Sequence, residues 1–306
     1  MIKVLKCSKI IIIYLGGYAG MNPIGSTRLY CLLGNPVSHS ISPAMHNLAF
    51  DTLGLDNSYM AFNVEPDDLP RVVDGLKAVN CGGFNCTMPF KTAIIPLLDE
   101  IDEIASLAHS VNTVVNIDGK LRGYTTDGIG FLQSMAECGI KYKGTTITML
   151  GAGGVATSII TQAASEGVSK INIFKRKNST FKDTVEYADK ITKATECDVF
   201  VYDMADKDIL EFSLQESDIL INCTNVGMGD DDTSLVPKEF LHKNLIVCDT
   251  IYHPDMTRLL KDAAAVGCKT MNGKYMLLYQ GAAAFKLWTG QEMPKDVENK
   301  IKRIEE

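Results

Sequence analysis

Gly151-Ala152-Gly153-Gly154-Val155-Ala156 fits the pattern G-x-G-x-x-A, and residues 145–150 just before it are apolar and β-branched, like a buried strand. A lone match to that pattern says little. A match that follows a strand and opens a helix specifies a dinucleotide site. Gly151 allows the tight turn, Gly153 lets the backbone approach a pyrophosphate, and Ala156 permits close packing of helix on strand. The helix N-terminus attracts the anion. About 20 residues further on, a site that prefers NAD places Asp or Glu against the ribose 2′-hydroxyl. Here the next strand ends in Phe174-Lys175-Arg176-Lys177-Asn178, with three cations and no carboxylate. A 2′-phosphate suits that cluster, and the planar Arg176 could grip it in a fork, so NADP is favoured over NAD. Taken singly, each lysine is equally well explained as part of a solvated charged loop.

A second group of polar residues stands earlier in the chain. Ser38, Ser40 and Ser42 crowd the start of a helix that Pro43 opens. Capping accounts for Ser42 alone, which leaves a polar ligand as a reading for the others. Lys91 follows Thr87 and Pro89 in the first turn of another helix, at the positive end of its dipole. That misfit is expected to lower its pKa somewhat and makes it a candidate acid/base; a snorkelling surface lysine is the alternative. Asp127 precedes a helix and, taken alone, is explained as its cap.

The elements that must position these residues alternate in the manner of an α/β protein. In the first unit, strands are predicted over 29–34, 59–64 and 83–86, and helices over 42–53 and 69–80. A further helix starts at Pro89 and is interrupted by Pro96. Residues 111–117 and 121–124 form a hairpin across the Asp118-Gly119 turn. After Asp127 a helix over 130–137 leads into strands over 145–150, 170–174, 198–202, 218–222 and 245–249, separated by helical segments as a doubly wound parallel sheet requires. Residues 275–290 are a strongly apolar helix. The expected architecture is two α/β domains with a cleft between them. Residues 27–127 form an N-terminal substrate domain, which the C-terminal helix 272–306 rejoins, and 128–271 form a Rossmann-like, doubly wound dinucleotide domain.

Composition narrows the classes. The 306 residues are 46% apolar and 22% charged, ordinary values that argue against disorder and coiled coil. A formal charge of −7 and the lack of a Lys/Arg-rich face argue against nucleic acid as a partner. Nine cysteines without a C-x-x-C pair read as reduced, mostly buried thiols of a cytoplasmic protein, and no His/Cys pattern has metal-ligand spacing, so no metal is expected. No stretch of about 18 apolar residues is available to span a membrane. Lys3, Lys6 and Lys9 before apolar residues 10–15 caricature a signal peptide, but that apolar core is barely long enough. Residues 1–26 are therefore read as a non-core extension, with Met21 as an alternative start and a genuine signal as the minor alternative.

Taken together and in order, the motifs resemble the shikimate dehydrogenase family, including its quinate/shikimate branch. They are Gly34-Asn35-Pro36, Ser40-x-Ser42-Pro43-x-x-His46-Asn47, Asn85-x-Thr87-x-Pro89-x-Lys91, Val111-Asn112-Thr113, Thr126-Asp127-Gly128 and the glycine turn, then Asn222-x-Thr224-x-Val226-Gly227-Met228, Asp249 with Tyr252, and Tyr279-Gln280-Gly281-Ala282-Ala283. The resemblance implies that Ser40, Ser42, Thr87, Asn112, Tyr252 and Gln280 hold the hydroxyls and carboxylate of shikimate. Lys91 and Asp127 would be the catalytic pair. Gly151 to Ala156, Lys175 to Asn178, Thr224, Gly227, Met228 and Gly273 would line the cofactor. The implied activity is reversible NADP-linked reduction of 3-dehydroshikimate to shikimate, on the way to chorismate and the aromatic amino acids, by a monomer or homodimer. The alternatives are an NAD-linked quinate/shikimate dehydrogenase and a non-catalytic NAD(P)-binding regulator, the last of which would need neither Lys91 nor Asp127. The chain departs from the family at two places. Thr125 replaces the usual Asn before Thr-Asp-Gly, which is expected to loosen hydrogen bonding near Asp127. The loop after Phe174 lacks the compact Asn-Arg-Thr signature for NADP, and where the NAD branch has an acid it has Asn178.

Overall fold

A computed structural model describes residues 23–305, with side chains as far as Ile301; the expectation for residues 1–26 lies outside the described residues as far as residue 22. Two six-stranded sheets organise the chain. The first is built from β1 (Arg28–Gly34), β2 (Asn57–Asn63), β3 (Gly83–Cys86), β4 (Glu100–Ile101), β5 (Thr113–Ile117) and β6 (Lys120–Tyr124), in the order β2-β1-β3-β5-β6-β4. β1, β2 and β3 run parallel, whereas β5 is antiparallel to β3 and β6. Asp118 and Gly119 both have positive φ at the tip of the β5–β6 hairpin, as the Asp-Gly turn predicts. The alternation of side chains along β1 splits its apolar residues between two cores. Tyr30 and Leu32 pack on one face and Cys31 and Leu33 on the other.

The second sheet comprises β7 (Thr146–Leu150), β8 (Lys170–Lys175), β9 (Asp198–Asp203), β10 (Ile219–Asn222), β11 (Ile246–Asp249) and β12 (Lys269–Met271), ordered β12-β11-β10-β7-β8-β9 and parallel throughout. That order is the doubly wound one, with its switch point between β7 and β10. Both faces are buried, which accounts for the near-continuous apolar runs of its strands.

The helices are α1 (Ser42–Leu53), α2 (Leu69–Ala78), α3 (Phe90–Ala93), α4 (Glu103–Ala108), α5 (Asp127–Glu137), α6 (Gly154–Ser165), α7 (Phe181–Ala194), α8 (Lys207–Gln215), α9 (Arg258–Val266), α10 (Lys274–Thr289) and α11 (Lys295–Glu305). The C-terminal segment is thus two helices rather than one, because Gly290 stops α10 in the left-handed conformation. α10 packs on α5 and α1. Its Leu278, Tyr279, Phe285 and Trp288 join the core built around Tyr30, Met45 and Phe50, and the Trp288 indole donates to the Val114 carbonyl at 3.0 Å. Among the described residues no helix is long and apolar enough to cross a membrane.

Candidate active site

Lys91 and Asp127 are 36 residues apart in the chain and 2.6 Å apart in space, Nζ donating to Oδ2. α3 is a single turn that ends before Pro96, so its dipole is slight, and the ammonium turns away from it towards Asp127. Asp127 does not cap α5. It is the first helical residue, and its other oxygen accepts from the Asn112 amide at 2.9 Å. The carboxylate is 6% exposed and the lysine side chain 19%, which leaves the ammonium as the accessible end of the pair.

Asn112 is the hub of the site. Its amide nitrogen also donates to Thr126 Oγ1 at 3.0 Å and to Gln280 Oε1 at 3.3 Å, while its oxygen accepts from the Thr126 backbone N–H at 2.8 Å. Hairpin register creates this meeting. Thr113 pairs with Tyr124, which sets Asn112 beside the turn that leads into Asp127. Gln280 reaches the hub from α10, its amide donating to the Leu277 carbonyl at 2.8 Å. A chain of buried bonds extends the site towards α1. Tyr59 donates to Asn85 Oδ1 at 2.7 Å and Asn85 donates to Thr113 Oγ1 at 3.0 Å, with the Ser42 hydroxyl beside the Tyr59 phenol. Burial pushes the Tyr59 phenol well up from its ordinary range, so it acts as a neutral donor.

Ser42 is not the cap of α1 that local pattern predicts. Ile41 holds the N-cap position without a side-chain bond, and it is Ser40 Oγ that accepts from the Ser42 N–H, at 3.2 Å. Thr87 follows β3, partly exposed, its carbonyl accepting from the Phe90 N–H that starts α3. Tyr252 lies on the loop after β11, with 42% of its surface exposed.

The glycine turn leaves β7 at the switch point. Gly151 has φ of +97°, and a Cβ there would stand 3.0 Å from the Cys223 carbonyl oxygen and 3.1 Å from the Thr224 methyl, so only glycine lets the β7 and β10 loops lie together. Gly153 is the N-cap of α6, with no side chain to satisfy the first helical N–H groups and nothing within 4 Å of where a Cβ would be. An open space lined by free backbone donors fits a pyrophosphate. Lys175 ends β8 with Nζ donating to Thr180 Oγ1 at 2.5 Å; Arg176, Lys177 and Asn178 are exposed, and Asn178 Oδ1 accepts from the Thr180 N–H. Thr224 Oγ1 donates to Asn222 Oδ1 at 2.7 Å, the Gly227 N–H donates to Asp231, and Met228 is exposed. Gly273, just before α10, donates to the Ile251 carbonyl. These loops share one buried anchor. Asp249 accepts from Asn222 at 3.1 Å, from the Ile251 N–H at 3.0 Å and from Thr257 at 2.8 Å, and burial pushes its carboxyl up to about 6.

Several participants escape sequence reasoning. Thr113 and Thr126 stand in the motifs without a role assigned to them and Tyr59 stands in none, although a polar Asn85 inside the short buried strand β3 is a signal that could find their network. Thr125 is a correction of another kind. It is buried and bonded to Ser158 Oγ at 2.7 Å, so the exchange for Asn does not loosen the hydrogen bonding there.

A doubly wound sheet with a glycine turn at its switch point, set against a half-buried lysine paired with a buried carboxylate, defines a dinucleotide-dependent oxidoreductase. Residues 32–114 match the shikimate dehydrogenase substrate binding domain, and residues 275–297 the shikimate 5′-dehydrogenase C-terminal domain. The NADP(+) shikimate dehydrogenase of Alkaliphilus metalliredigens is 47% identical over 287 residues, covering 92% of this chain and 96% of that protein. The quinate/shikimate dehydrogenase of Escherichia coli strain SMS-3-5 is 42% identical, covering 90% and 96%. The crystal structure of shikimate 5-dehydrogenase from Listeria monocytogenes, in complex with shikimate and NAD, superposes with a TM-score of 0.87 at 44% identity, covering 92% and 97%. The chain belongs to the shikimate dehydrogenase family.

Proposed function

We propose that the protein catalyses the reversible, NADP-linked interconversion of shikimate and 3-dehydroshikimate. The observation that carries this reading is the 2.6 Å contact between Lys91 and Asp127, buried on its carboxylate side and open on its ammonium side. In the direction of reduction a ring ketone takes up a hydride at carbon and a proton at oxygen. The nicotinamide, when bound at the glycine turn, supplies the hydride. Lys91 stabilises the charge developing on oxygen and donates the proton from Nζ. Asp127, held by Asn112, keeps the ammonium aimed and compensates its charge; in the direction of oxidation the same amine takes the proton back.

Ser40, Ser42, Thr87, Asn112 and Gln280 hold the substrate's hydroxyls and carboxylate in this reading, and Tyr252 adds a contact from the second sheet. The buried chain from Ser42 through Tyr59 and Asn85 to Asn112 supports their roles, since it fixes which donors and acceptors remain for a ligand. Gly151, Ala152, Gly153, Gly154, Val155 and Ala156 take the pyrophosphate, with Thr224, Gly227, Met228 and Gly273 around the nicotinamide end. Lys175, Arg176, Lys177 and Asn178 meet the adenosine ribose. The exposed cations Arg176 and Lys177 favour NADP, as in the relatives named for it. Initial rates on shikimate and on quinate, each with NAD and with NADP, test the assignment. Shikimate with NADP is expected to give the highest kcat/KM; a preference for quinate with NAD would replace it.

A further inference from the structure

The substituted threonine points to a positioning device that ties the cofactor helix to the acid–base pair. Ser158, fully buried in the second turn of α6, donates its single hydroxyl proton to the Gly154 carbonyl at 2.8 Å. Its contact with Thr125 at 2.7 Å therefore has Thr125 as the donor. Gly154 in turn faces the stem of the lysine across the space that a side chain would take. A Cβ built on it would stand 3.8 Å from Lys91 Cδ, 3.9 Å from Lys91 Cβ and 3.1 Å from Ser110 Oγ, a buried hydroxyl with no hydrogen-bond partner. A continuous path joins the two parts of the site: Gly154 to Ser158 to Thr125 by hydrogen bonds, Thr125 to Asp127 along two residues of backbone, and Asp127 to Lys91 by an ion pair. Along this path the first turn of α6, where the pyrophosphate fits, is tied to the proton-donating lysine.

We propose that Thr125 and Ser158 are positioning residues, whose hydroxyl bridge sets the glycine turn at the distance from Lys91 and Asp127 that hydride and proton transfer require. The inference rests on the proposed dehydrogenase function. The bridge touches neither substrate nor cofactor, so its loss acts through the placement of groups that do. Misplacement of reacting groups lowers the rate of the chemical step while leaving the binding of each partner largely intact.

The test compares the unmodified protein with Thr125→Val, Thr125→Ser, Ser158→Ala and the Thr125→Val/Ser158→Ala pair. With shikimate and NADP, Thr125→Val and Ser158→Ala are expected to lower kcat about ten- to hundredfold with KM for shikimate changed about twofold or less. The primary deuterium isotope effect on shikimate labelled at the reacting carbon rises, because the chemical step becomes more fully limiting. Thr125→Ser restores kcat, and the double variant is no worse than Ser158→Ala, since the bridge is already lost in that single variant. In the cofactor-free protein, hydrogen exchange of the second turn of α6, whose N–H groups are bonded from Thr157 onward, quickens about tenfold in both single variants, a readout independent of catalysis. Should Thr125→Val fail to fold, Ser158→Ala carries the same comparison from the other side of the bridge. Wild-type kcat, isotope effect and exchange in Ser158→Ala, or losses that multiply in the double variant, overturn the bridge. An unmodified protein inert on shikimate and quinate with either cofactor overturns the function as well, so the two failures are told apart.

Discussion

Replacing Asn112 by alanine isolates the contribution of the hub. The side chain is 2% exposed and satisfies Asp127 Oδ1, the Thr126 N–H and the Thr126 hydroxyl from one planar amide. Its loss leaves a neutral backbone donor without its partner, at about 1 kcal/mol, and removes a charge-assisted bond from a buried carboxylate, at about 2 kcal/mol. Thermal unfolding should therefore show a melting temperature lower by about 6–12 °C, taking about 2–4 °C per kcal/mol for a chain of this size. Activity should fall as well, because Asp127 keeps only its bond to Lys91 and loses the second constraint on its plane. A variant melting within about 2 °C of the wild type would refute the accounting, since it would mean that the bonds around Asn112 are not made in solution.

Arg176→Ala should weaken NADP far more than NAD, by about 1.5–3 kcal/mol for a charge-assisted bond to the 2′-phosphate, as read from Kd values of the two cofactors; equal losses would assign the arginine to the loop or the adenine. Asn178→Asp should shift preference towards NAD, and an unchanged NADP-to-NAD ratio would show that position 178 does not face the ribose. The Asp249 carboxyl titrates near 6 in the folded protein and near 4 when unfolded, so its stabilising contribution is complete below about pH 4 and is lost as pH rises through about 6. The stability difference between wild type and Asp249→Asn, followed by urea unfolding, should change by about 2–3 kcal/mol between pH 4 and 7, and a pH-independent difference would contradict the burial argument. Burial holds the His46 imidazole down to about 3, so His46 contributes stability above about pH 6.5 that is lost as pH falls towards 3; His46→Phe should flatten the acid limb of the stability profile.

Elements with a local cause are legible in the chain. The glycine turn after β7, the Asp118-Gly119 hairpin and the glycine stop at Gly54 each follow from residues within a few positions, and each stands where the pattern predicts. Short pieces are not legible. β4 has two residues and β12 three, too few for any alternation to register, and they exist because an edge of a sheet accepts them. The same limit applies to polar roles. Ser42 beside Pro43 reads as a cap, yet its hydroxyl turns to Tyr59, a strand away, which only the packing of α1 on β2 brings within reach. The motif series marks Lys91, Asn112, Thr126, Asp127 and Gln280 but not which of them bond to one another. Those bonds arise from hairpin register and from the return of α10 beside α5, both set by tertiary contacts. Thr125 makes the point most sharply, since family comparison predicts a loosened turn and the hydroxyl finds a partner on another helix.

The account stands on one proton shared by Lys91 and Asp127. The most direct test is kcat on shikimate with NADP for Lys91→Ala, Asp127→Asn and the two combined. Each single change should lower kcat by about 10²–10⁴-fold with a smaller effect on KM, and the double variant should be no worse than the poorer single one. A Lys91→Ala protein that turns over near the wild-type rate, or losses that multiply in the double variant, would contradict the mechanism.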